Sequence, residues 1–231
     1  MSVSVEFVGH ACFRIWIDGR PSIVTDPYPP ARLGLPPLEP LAADTVIVSS
    51  LTDDAHSHVE LVAGSPRVIN ALDVARGQEA VIGGEPVVTV EATEARDHPR
   101  GPEDNALYAF KVGGLWLMHM GDVGYELTAD ELAPFAGKCD VLFALAGQRL
   151  TPKFAELDRM FAALAPRWIL PMHYELPPLG FGMTTVEEFL ADRPDDPLVR
   201  PRHHTVELPL PALKEGHPTI VVLEPSGYTP D

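Results

Sequence analysis

The 231-residue sequence predicts an α/β fold of stacked layers, and three patterns predict it. The first third is dense in short alternating or β-branched apolar runs, the mark of strands. From about Asp122 onward helical spacing and apolar runs interleave in an αβαβ order. Three apolar runs end in polar clusters: Val46-Ile47-Val48 before Ser49 to His58, Trp116-Leu117-Met118 before His119-Met120-Gly121-Asp122, and Trp168-Ile169-Leu170 before Pro171-Met172-His173-Tyr174. Separate strand ends offering Asp and His can converge on one point, as hydrolytic metal centres require.

Taken in order, Val3, Val5 and Phe7 alternate with polar positions, Cys12, Ile15 and Ile17 do so more loosely, and Ser22–Thr25 is β-branched. Asp18-Gly19-Arg20-Pro21 turns the chain between strands. Asp26-Pro27-Tyr28-Pro29-Pro30 opens a Pro-rich loop reaching about Pro40, which proline keeps out of a central strand or helix interior. Strands are expected near 45–49, 67–70, 80–82 and 86–91, with a short helix over 71–76. Gly113-Gly114 joins 105–112 to 115–120 as a β-hairpin. Thr128, with Glu131 three residues on, starts a helix. Strand 140–145, helix 153–164 and strand 167–171 follow. Within that helix Phe154, Leu157, Phe161 and Leu164 share a face and read as core. Thr184-Thr185 caps another helix, and 219–223 is a last strand. No repeat or linker composition interrupts the chain, so one domain over 1–231 is expected.

Apolar residues make up 45% and charged residues 22%, an ordinary balance for a soluble globular protein. No apolar run approaches the roughly 20 residues of a membrane span. The N-terminus does not read as a signal peptide. Cys12 and Cys139, each beside apolar residues, give no disulfide framework and read as core; the cytoplasm is the expected location. A net charge of −16 disfavours a nucleic-acid partner, since the basic stretches Arg96–Arg100 and Arg200–His204 are too weak to form a groove.

Gly9-His10-Ala11-Cys12-Phe13, Thr25-Asp26-Pro27, the Asp/His cluster, Gly121-Asp122 and Pro171-Met172-His173-Tyr174 occur in the order seen in the metallo-β-lactamase superfamily, which the sequence resembles from about Val3 to Tyr174. More narrowly, the set is similar to the lactonase-like branch of metal-dependent hydrolases, including L-ascorbate-6-phosphate lactonases. The resemblance implies a four-layer αββα sandwich with its site along one edge of the sheets. It also exposes departures. The family's His-x-His-x-Asp-His motif is degenerate: Ser50 and Thr52 stand at the first two His positions, Asp54 at the Asp and Ala55 at the last His, unless a one-residue bulge offers His56. The family's next His falls at Arg96 or Asp97, with His98 displaced from it. Asp122 matches the bridging carboxylate and His173 the final His.

Hydroxyls are poor ligands for such ions beside imidazole, so the resemblance implies one occupied subsite, with Asp54, His56, Asp122 and His173 as metal ligands. One divalent ion, zinc first with manganese or iron as alternatives, can still activate water. His58 replaces His56 as ligand if a helix begins early. His10 and His98 are the candidates for proton transfer. Plainer roles exist for each: Asp54 as a helix cap, Asp122 in a tight turn, His173 as a satisfied core residue, His98 as a loop residue. His119, inside a strand, reads as structural. The expected function is metal-dependent hydrolysis of a small-molecule lactone, amide or phosphoester, with no nucleic-acid or membrane partner and a homo-oligomer left open. The alternative is a fold that has lost its metal and serves as a ligand-binding or assembly module. A third is metal-free acid–base chemistry by Asp54, Asp97 and His98.

Overall fold

The computed structural model describes residues 1–211 and 213–226. Two sheets carry the fold. The first has six strands in the order Thr205–Leu208, Val3–Gly9, Cys12–Ile17, Arg20–Thr25, Thr45–Val48 and Arg67–Asn70. The second has seven, in the order Val88–Thr93, Asp104–Val112, Leu115–His119, Val141–Leu145, Trp168–Met172, Thr219–Val221 and Leu198–Val199. In the first sheet Thr45–Val48 and Arg67–Asn70 run parallel to Arg20–Thr25. In the second, Leu115–His119, Val141–Leu145 and Trp168–Met172 are parallel neighbours. The carboxyl ends of these strands, where the polar clusters sit, therefore collect along one edge of each sheet.

The sheets share one hydrophobic core. At its centre the Phe13 and Phe143 rings stack across the interface, with centroids 4.1 Å apart and planes 18° from parallel. The hairpin across Gly113-Gly114 forms in the register Val112↔Leu115 and Tyr108↔His119. Strands buried on both faces, such as Val141–Leu145 and Trp168–Met172, are continuous apolar runs, as parallel central strands must be.

The helices flank the sheets, giving the layered α/β sandwich. Helix Phe154–Leu164 buries Leu157, Met160, Phe161 and Leu164. Thr128 with Glu131, and Thr185 with Glu188, form reciprocal capping boxes at two helix starts. A one-turn helix, Pro30–Leu33, sits inside the Pro-rich loop. Proline is tolerated there because the first turn needs no N–H from it. The expected strand over 80–82 is only a two-residue ribbon, Val81–Ile82 paired with Glu85–Pro86, outside both sheets. Among the described residues no helix is long and apolar enough to cross a membrane.

Removing the ring at the centre of the inter-sheet stack leaves a cavity that neither sheet can close. Phe143→Ala is expected to cost about 3–5 kcal/mol, read from the urea midpoint of the variant.

Candidate metal centre

Five strand ends or turns supply the polar side chains of the edge: His10 after Val3–Gly9, Asp26 after Arg20–Thr25, the 49–58 segment after Thr45–Val48, Asp122 after Leu115–His119, and His173 after Trp168–Met172. His10, Asp26 and His173 have φ of 52°, 36° and 53°. Left-handed backbone is uncommon for residues with a side chain and gathers at functional positions. The His173 N–H donates to the His10 carbonyl at 2.8 Å, so the two sheets are joined here by backbone. Beside Asp122, Gly121 has a φ of +61°, and a Cβ there would run into the Asn105 side chain and the Ala106 carbonyl. Asn105 Oδ1 in turn accepts the Asp122 N–H at 3.2 Å.

The 49–58 segment makes a tight turn. Asp53 accepts the Ala55 N–H on its side chain at 2.8 Å and the His56 N–H on its carbonyl at 3.2 Å. That turn puts residues 53 and 56 on one side and 54 on the other. His56 Nε2 lies 4.0 Å from Asp53 Oδ2 and 3.9 Å from Asp122 Oδ2, and His173 Nε2 lies 3.5 Å from Asp122 Oδ1. Donors about 2.0–2.2 Å from one ion stand roughly 3–4 Å from each other, so this set fits a divalent cation. Two of the facing atoms, Asp53 Oδ2 and His56 Nε2, are buried with no hydrogen-bond partner among the described residues. The far nitrogen of the same ring, His56 Nδ1, lies 3.1 Å from Asp26 Oδ2. A carboxylate on the outer nitrogen fixes the tautomer and turns Nε2 into the ligand.

The electrostatics suit a cation. Burial alone would lower the basicity of His56, but the Asp53 charge, the Asp26 hydrogen bond and the Asp122 charge outweigh it and raise its pKa to about 10. Burial, reinforced by Asp53 and Glu94 and only partly offset by His56, pushes Asp122 up to about 7. Burial and the neighbouring His56 lower His173 to about 3, so it is a neutral imidazole at ordinary pH.

Of the residues singled out from sequence, the structure brings His10, His56, Asp122 and His173 together and leaves Asp54 outside. Asp54 is 52% exposed and bonded to Arg32 at 2.6 Å, with Arg100 at 3.8 Å. The acid in the cluster is Asp53, 2% exposed, because the turn at Asp53 rotates the next side chain to the surface. His58 faces Glu60 at 3.7 Å, whereas His56 is the one of the pair that faces the cluster. His98 is half-buried, with Nδ1 3.1 Å from the Gly101 carbonyl and 3.6 Å from Glu94, and lines the same cavity. Asp97 is exposed. Ser50 and Thr52 pair their hydroxyls at 2.9 Å. His119 is structural, with Nε2 2.8 Å from the Ala11 carbonyl and Nδ1 accepting the Gly121 N–H at 2.9 Å. Sequence reasoning missed Asp53, Asp26 and Glu94. The i, i+3 spacing of Asp53 to His56 was the available signal for the first.

Two facing sheets with a donor cluster at the shared edge define a metallo-β-lactamase-type fold. The chain belongs to that superfamily: residues 4–173 match the beta-lactamase superfamily domain. It is similar to a UPF0173 metal-dependent hydrolase of Pyrococcus furiosus, 23% identical over 220 residues that cover 86% of this chain and 97% of that protein. Among solved structures it resembles a candidate Zn-dependent hydrolase of the metallo-beta-lactamase superfamily from Thermotoga maritima, at 26% identity and a TM-score of 0.68, covering 96% of this chain and all (100%) of that one. A metallo hydrolase of Ignicoccus hospitalis, Igni18, shares the fold at 18% identity and a TM-score of 0.57, covering 91% and 100% of the two chains.

Two measurements test this electrostatic picture. The raised pKa values of His56 and Asp122 mean that the folded state holds protons the unfolded chain has already released. Stability of metal-free protein should therefore fall as pH rises from about 6.5 to 10 through His56, while the Asp122 contribution is lost lower, from about 3.8 to 7. Urea midpoints across the upper range should show the decline, and His56→Gln should flatten it. Asp26→Asn, which weakens the grip on His56 Nδ1, should reduce zinc affinity by roughly 10–100-fold in a chelator competition.

Proposed function

We propose that this chain is a metal-dependent hydrolase of small molecules working with one divalent ion, held by Asp53, His56, Asp122 and His173. The observation that carries the reading is the convergence of those side chains beside a cavity of ≈ 380 Å³, which Asp53, Asp122 and His173 line. That volume suits a small molecule. Leu33 from the Pro-rich loop, and Phe181 and Met183 from the 176–183 loop, form apolar walls. Zinc matches the mixed nitrogen and oxygen donors, with manganese or iron as alternatives. A bound divalent ion supplies Lewis acidity toward a carbonyl or phosphoryl oxygen and makes a water ligand acidic near neutral pH.

The chain's own residues supply positioning and proton transfer. Asp26 holds the His56 ring. His98, on the cavity wall beside Glu94, exchanges protons with the leaving group and solvent. Lactones, amides and phosphoesters are the substrate class, by resemblance of the motif order to the lactonase-like branch. The net charge of −16 argues against a nucleic-acid substrate, and two free, buried cysteines fit the cytoplasm.

One observation favours a second reading, a binding or assembly module without chemistry. Ser50 and Thr52 hydrogen-bond to each other where the resemblance places two histidines, so a second ion has no imidazole donors there.

Metal analysis of protein purified without chelator or added metal separates the two. The hydrolase reading expects about one ion per chain, lost in Asp53→Ala, Asp122→Ala and His173→Ala but retained in Asp54→Ala. Hydrolysis across a panel of simple lactones, amides and phosphoesters should vanish with the metal. Metal-free, fully folded wild-type protein would sink the hydrolase and leave the module.

A further inference from the structure

We propose that His10 is a fifth protein ligand of the ion, supplied by the turn between the first two strands and lying outside the Asp/His cluster and the other strand-end donors. This rests on the metal reading above and extends its donor set.

The starting observation is a polar side chain with nothing to do. His10 is 2% exposed, and neither Nδ1 nor Nε2 has a hydrogen-bond partner among the described residues. A buried polar atom left unpaired costs about 1–3 kcal/mol. A histidine kept for packing meets that cost locally, as His119 does with both ring nitrogens engaged. His10 does not, and it also keeps a left-handed backbone at φ 52°.

The ring geometry says what it faces. The His10 centroid is 4.4 Å from that of His173 and 4.9 Å from that of His56, and the latter two are 5.5 Å apart. Imidazoles bound about 2.0–2.1 Å from one ion have centroids roughly 3.2 Å out, and so about 4.5–5.3 Å from each other at angles of 90–110°. The three rings match that arrangement to within a few tenths of an ångström. One nitrogen from each lies within 4.8 Å of the others. His10 is tilted against both partners, by 55° to His56 and 37° to His173, so it does not stack on either ring.

His10 therefore completes a face of three imidazoles with His56 and His173, and His56 is also the ring that meets the carboxylates of Asp53 and Asp122. Five protein donors exceed the four of a closed zinc site and move the choice of ion toward manganese or iron, which take five or six.

Cobalt(II) is the probe, because its visible bands are weak at five or six donors and strong at four. His10→Asn and His10→Gly both accept the left-handed backbone. Relative to wild type, each should bind Co²⁺ at least about tenfold more weakly, since even residues behind the ligands cost 10–100-fold. Each should also give more intense visible bands. Metal-free His10→Asn should melt close to wild type, because no hydrogen bond is lost and most of the buried volume is kept, whereas His10→Gly opens a cavity and is read for metal alone. Unchanged affinity and spectrum in both variants overturn the assignment, as does metal-free His10→Asn that melts far lower, which would make His10 a folding residue. Wild-type protein that takes up no cobalt at all removes the metal reading itself, a separate result.

Discussion

Between the two sheets one fully buried carboxylate, Asp26, gathers the site. It accepts the N–H and hydroxyl of Ser49 at 2.8 and 2.7 Å, the Tyr108 hydroxyl at 3.0 Å and the His56 ring nitrogen at 3.1 Å. Burying an unpaired carboxylate costs several kcal/mol, and these bonds offset that cost. Burial pushes its pKa up, but the neighbouring His119 and His56 rings and the hydrogen bonds from His56 and Ser49 hold it below the ordinary carboxylate range. Ser49 and His56 follow the first sheet while Tyr108 lies in the second, so the same group that aims the His56 ring also pins the sheets together. A change at Asp26 cannot alter one without the other.

Around this hub lies a concentration of negative charge inside an already acidic protein. Asp26, Asp53 and Asp122 all act on the ring of His56. The imidazole is pushed to hold a proton because three acids need a positive partner. A divalent ion would answer the same need with more charge, and binding it at His56 and Asp122 would require their deprotonation. The cluster's charge therefore suits a cation.

The local grammar was easy to read and the exact side chain was not. Capping boxes at Thr128 and Thr185, the Gly113-Gly114 hairpin and the apolar face of helix Phe154–Leu164 depend on residues close in sequence, so short-range rules found them. The match over 4–173 agrees with the span of ordered motifs read from Val3 to Tyr174. Asp54 lies outside the cluster because a tight turn decides which of two adjacent aspartates points inward. Adjacent residues project in different directions, so a change of one position exchanges a buried carboxylate of the cluster for a surface ion pair. Asp26 was visible only as part of a motif, since its partners come from 23 to 82 residues away.

By itself the chain determined its layers and the strand ends where polar groups would gather, because periodicity and turn residues act over a few positions. Tertiary structure alone decided which donors face one another. That choice is made by distances across two sheets, where Asp53, His56, Asp122 and His173 meet and where the His10 ring finds itself without a hydrogen bond.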